Sequence, residues 1–92
     1  MIDSGNLILK LYVTNLTPKI ETAVERLKDT CNTELNGEFD LSVINILENS
    51  QMAEDDRVLA TPTLIKQIPD PVKRIIGDIS NIDKVMVNLG LR

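Results

Sequence analysis

The sequence predicts a single α/β domain that opens with a βαβ unit. Three observations carry this. Apolar residues alternate through residues 7–13, a helical stripe runs from Ile20 to Cys31, and a second alternating run follows at residues 38–47. Strand, helix and strand within about 40 residues imply two parallel strands and a right-handed crossover.

In the first run, Leu7, Leu9, Leu11 and Val13 share one face, while Ile8 and Tyr12 make the other face partly apolar. A strand apolar on both faces belongs inside a sheet, with layers above and below. Thr14-Asn15-Leu16-Thr17 reads as a turn. Thr17 followed by Pro18 is a helix start: the hydroxyl caps free N–H groups, and proline suits the first helical position. Ile20, Ala23, Val24, Leu27 and Cys31 then form one helical stripe, with Lys19, Glu21, Glu25, Arg26, Lys28 and Asp29 toward water. Asn36-Gly37 ends the connection. Phe39, Leu41 and Val43 alternate, and the apolar run continues through Ile44 and Ile46, giving the second strand. Asn49-Ser50 can cap a short helix over residues 51–57, where Glu54-Asp55-Asp56 reads as a solvated acidic run.

The bulk numbers agree with one small domain. The chain has 92 residues, 42% hydrophobic, so one modest core is possible. Tyr12 and Phe39 are the only aromatic residues, which leaves the core to Leu, Ile and Val. A net charge of −4 argues against a protein that coats nucleic acid. Cys31 is the only cysteine, so no internal disulfide forms, and no histidine is present to act as base or transition-metal ligand. No metal or other cofactor is expected, and no phosphate-binding glycine pattern occurs. Without a leader pattern at the N-terminus or an apolar run of ~20 residues, no membrane association is expected and the default location is the cytoplasm.

The second half satisfies two periods at once. At residues 70–77, a helix capped by Asp70, with Pro71 first and Gly77 last, places Val72, Ile75 and Ile76 on one face. The same residues are β-branched enough for a strand after the turn at Pro69-Asp70-Pro71. At residues 81–91, a helix stripes Ile82, Val85, Met86 and Leu89, whereas a strand alternates Val85, Val87, Leu89 and Leu91. Gly90 and Asn88 are poor helix formers, and Val85 and Val87 favour a strand. A helix over residues 71–76 and a terminal strand over 84–91 are therefore expected in the isolated protein, the alternative being a strand hairpin and a terminal helix.

Several blocks resemble the KaiB family of circadian-clock proteins: residues 9–13 (Leu-Lys-Leu-Tyr-Val), Asn15 to Pro18, residues 53–57 (Ala-Glu-Asp-Asp-Arg), residues 59–64 (Leu-Ala-Thr-Pro-Thr-Leu) and residues 71–81. They occur in order over about residues 7–91. The resemblance implies a thioredoxin-like first half, with Thr61-Pro62 resembling the cis-proline segment of thioredoxins. It also implies a C-terminal half that exchanges between the two arrangements above, which requires packings within a few kcal/mol of each other. Thr61, Pro62, Gly77, Asn88 and Gly90 are the positions implicated in that exchange. As departures, Asn88-Leu89-Gly90 stands where the cyanobacterial pattern is closer to Gly-Leu-Asp, and the acidic tail of those members is absent, which suggests a homologue outside the full oscillator.

The function implied is that of a non-enzymatic regulator that binds a KaiC-type ATPase ring, in circadian timing or stress adaptation, with a signalling histidine kinase as a further partner. Arg57, Lys66, Lys73 and Arg74 are the candidate contacts for an acidic partner surface. A homo-dimer or tetramer is expected, because the second half has more Ile, Val and Leu than one face can bury. A thioredoxin-type redox enzyme is disfavoured, since the turn that would carry Cys-x-x-Cys reads Asn15-Leu16-Thr17-Pro18. A thioredoxin-like sensor module with another partner and a ferredoxin-like ligand-binding domain are the other readings.

Overall fold

The computed structural model describes residues 7–92. Residues 1–6, on which the expectation about a leader rests, lie outside the described residues. The elements in order are β1 (Leu7–Val13), α1 (Pro18–Glu34), β2 (Phe39–Asn45), α2 (Ser50–Asp55), β3 (Thr63–Ile68), β4 (Lys73–Ile76) and α3 (Ile82–Asn88). They form a four-stranded sheet ordered β2-β1-β3-β4. β1 is parallel to β2 and antiparallel to β3, and β4 closes the far side antiparallel to β3.

The first half follows its local signals. Thr17 accepts a hydrogen bond from the Ile20 N–H at 3.2 Å, Pro18 opens α1, and Ala23, Val24, Leu27 and Cys31 are its buried residues. Asn36 and Gly37, both at positive φ, turn the chain back into β2. β1 lies inside the sheet as its two apolar faces require. Leu7, Leu9, Leu11 and Val13 join α1, Leu64 and α3 in the larger core, while Tyr12 joins Ile44, Ala53 and Ile65 in a smaller one beneath α2. α2 is shorter than expected. Arg57 takes a left-handed φ of 56°, and the Val58 N–H turns back to the Ala53 carbonyl at 2.9 Å. The Asn49 side chain donates to the Asn45 carbonyl at 3.0 Å instead of capping α2.

The second half takes the hairpin-and-helix arrangement, which corrects the expected helix over residues 71–76 and terminal strand over 84–91. Thr63, Leu64, Ile65 and Lys66 of β3 are all buried. A helix at 71–76 would leave the outer N–H and C=O groups of this buried strand without partners, and β4 supplies them. In α3, the Asn81 side chain accepts from the Lys84 N–H at 3.2 Å, and Val85, Met86 and Leu89 are buried. Asn88 and Gly90 do not sit in a helix interior. Asn88 is the last helical residue, and Gly90 (φ 75°) follows the C-cap. The Gly90 N–H bonds to the Val87 carbonyl at 3.0 Å and the Leu91 N–H to the Met86 carbonyl at 2.9 Å, a Schellman motif in which glycine is the favoured residue. The two residues counted against a helix are the ones that end it.

Candidate partner-binding surface

The register separates the four candidate cations into two pairs on opposite faces of the sheet. Lys10, Ile65 and Arg74 lie in one row across β1, β3 and β4, on the α2 side. Leu9, Lys66 and Lys73 lie in the next row, on the side of α1 and α3. Arg57 and Arg74 therefore meet, and Lys66 and Lys73 meet elsewhere.

Arg74 holds the C-terminal end of α2. Its guanidinium donates to the Asp56 carbonyl at 2.8 Å and to the Arg57 carbonyl at 3.2 Å. The Asp56 carboxylate, in turn, accepts from the Tyr12 hydroxyl and from Lys10 Nζ at 3.3 Å. Burial first, and then the hydrogen bond to Asp56, push the Tyr12 phenol above its ordinary range, so it stays a donor. The acidic run is thus not uniformly solvated: Glu54 and Asp55 are exposed, whereas Asp56 is half-buried and engaged. This network is not apparent from the sequence. Its only trace was a lysine inside an otherwise apolar strand.

Lys66 is a correction. It was expected to offer its charge to a partner, yet it is only 4% exposed, because strand alternation puts it on the face of Leu64 and beside Leu9. Lys73 and Arg74 are exposed. Thr61 and Pro62 lie at the opposite end of β3 from Lys66. The Thr61 and Thr14 hydroxyls are 2.7 Å apart, the Thr61-Pro62 bond is cis, and the Pro62 carbonyl accepts from the Gly77 N–H at 2.9 Å. Of the positions implicated in exchange, Thr61, Pro62 and Gly77 therefore meet, and Asn88 and Gly90 sit apart at the end of α3.

The same end of the sheet carries exposed apolar side chains. β1 and β2 end there and β3 begins there, so the loops at residues 14–17, 46–49 and 56–62 leave together. Leu16 is 51% exposed, Leu47 71% and Leu59 94%; Met52, on α2, is also exposed. A groove of about 300 Å³ lies alongside, lined by Thr17, Ile20, Ala23, Pro62 and Ile79. This end holds no thiol: Cys31 is fully buried in α1, and burial pushes its thiol pKa up, away from the reactive thiolate. Among the described residues, no three Cys, Asp or Glu side chains come together to hold a metal, and no helix is long and apolar enough to cross a membrane.

A KaiB domain family model matches residues 10–91. The circadian clock oscillator protein KaiB of Synechococcus elongatus is 50% identical over 84 residues, covering 91% of this chain and 82% of that protein. The protein of the same name from Thermosynechococcus vestitus is 49% identical, covering 91% of this chain and 78% of its own length. Among solved structures, the N-terminal domain of Synechococcus elongatus SasA superposes with a TM-score of 0.72 at 28% identity, over 91% of this chain and 79% of that one. The Drosophila thioredoxin Deadhead, 14% identical, superposes with a TM-score of 0.66 over 92% and 82%, which establishes the thioredoxin-like fold. A sheet ordered like a thioredoxin's without its thiols, and a sequence half identical to clock proteins over nearly its whole length, lead to one conclusion: the chain belongs to the KaiB family.

Proposed function

We propose that this chain is a non-enzymatic clock-type regulator that docks on a KaiC-type ATPase ring through the loop end of its sheet, in circadian timing or stress adaptation. The observation that carries the docking site is the convergence of Leu16, Leu47 and Leu59, all more than half exposed, where three loops leave the sheet. Isolated exposed leucines are ordinary, but apolar side chains from three loops at one end, with exposed cations beside them, suit a protein interface. Arg57 and Arg74 border this end and would steer an acidic partner surface. Membership of the KaiB family supports the class of partner. The double periodicity of residues 70–91 supports an exchange of the C-terminal half, with Thr61, Pro62 and Gly77 at its pivot. Assembly into a homo-dimer or tetramer belongs to the same reading.

The test is binding of the purified chain to a KaiC-type ATPase ring, measured by calorimetry. Leu47→Asp with Leu59→Asp should weaken binding at least ~10-fold, as expected for a buried interface centre. The circular dichroism spectrum should be unchanged, since both side chains lie outside the cores. Full affinity in the double variant would remove the loop end from the interface. Absence of binding by the unaltered chain would remove the partner class.

A further inference from the structure

Lys66 and Lys73 are directly opposite one another on β3 and β4, and like charges so placed repel. Lys66, on the inner strand, is almost completely buried, whereas Lys73 is exposed. This pair lies beside a free sheet edge. Among the described residues, β4 pairs with β3 alone, and an edge strand leaves half its N–H and C=O groups facing outward. Along that edge run two consecutive exposed cations, Lys73 and Arg74. The opposite edge of the sheet, β2, is acidic, with Asp40 exposed on it and Glu38 just before it. The two edges of one sheet thus carry opposite charge, in a chain whose net charge is −4.

We propose that the free edge of β4 receives an extended acidic segment of another protein, paired strand to strand, with its carboxylates beside Lys73. Backbone pairing supplies the affinity and alternate side chains the selectivity, as in other strand additions. An acidic segment is favoured because its carboxylates meet the exposed charge of Lys73 on the edge strand. Consecutive cations on the edge oppose pairing of β4 with β4 of a second copy. This surface is separate from the loop end: Lys66 and Lys73 are at the hairpin end of β3, on the face away from α2.

The probe is a synthetic eight-residue peptide alternating glutamate and valine, titrated into the labelled protein by NMR. The expected result is shifts and slowed hydrogen exchange at residues 73–76. Affinity should fall ~10-fold or more for the glutamine-valine peptide and for the Lys73→Glu variant, the loss typical of an interfacial charge contact. Lys73→Glu should at the same time raise the melting temperature, because it replaces a repulsion with an attraction to Lys66. Equal binding of the two peptides, shifts centred on β2, or no binding of the glutamate peptide would overturn the proposal. So would concentration-dependent broadening of both edges without peptide, which would assign the edge to a second copy. None of these outcomes depends on whether the chain binds an ATPase ring.

Discussion

Met86→Ala is expected to destabilise the fold by ~2–5 kcal/mol, the range for truncating a fully buried large side chain. Val87→Ala, one residue on, is expected to change stability by less than ~0.5 kcal/mol. The contrast follows from the helical period of α3. Met86 is fully buried in the larger core with Val85 and Leu89, while Val87 is 57% exposed. A terminal strand would reverse the order, because Val85, Val87, Leu89 and Leu91 would then share the buried face and Met86 would point away. Urea denaturation of the two variants therefore reads the secondary structure of this segment directly. A larger loss for Val87→Ala than for Met86→Ala would show that the terminal strand dominates in the free protein.

The second large effect is expected at Asp56. Its carboxylate accepts from the buried Tyr12 hydroxyl and from Lys10, and its side chain is 20% exposed. Asp56→Ala leaves the hydroxyl without its charged acceptor and Lys10 without its counter-ion. The hydroxyl keeps the Met52 carbonyl at 3.4 Å, and losing a hydrogen bond to a charged group costs ~1.5–3 kcal/mol. Asp55→Ala, at an exposed neighbour that bonds only Gln51 within its own helix, should stay within ~0.5 kcal/mol. Tyr12→Phe should fall between them, since Lys10 still faces the carboxylate. Equal, small effects for Asp55→Ala and Asp56→Ala would return the whole acidic run to solvent.

β1, α1 and β2 were legible because their signals are local. Thr17-Pro18 and Asn36-Gly37 mark the ends of α1, and the stripe from Ala23 to Cys31 has no competing period. The second half was not legible, because residues 72–76 and 82–91 fit both periods and the decision is made elsewhere. The buried β3 needs a second strand partner, which no count within residues 70–77 contains. Asn88 and Gly90 oppose a helix or terminate one according to where the helix stops, and the Schellman bonds to Val87 and Met86 set that point. The placement of the four candidate cations was not legible, because strand register sets it. Arg57 and Arg74 do meet, but only the register puts Lys66 and Lys73 on the other face. The Asp56 network was hidden because Lys10 and Tyr12 reach it from 46 and 44 residues away.

In the proposed complex, the thioredoxin-like arrangement, with its loop end forward, is the form that meets an ATPase ring. Backbone chemical shifts of the labelled chain bound to a KaiC-type ring test it most directly. The expected result is strand shifts at residues 73–76, helical shifts at 82–88, and the strongest signal loss around Leu16, Leu47 and Leu59. Helical shifts at 71–76 with strand shifts at 84–91 in the bound protein would contradict it.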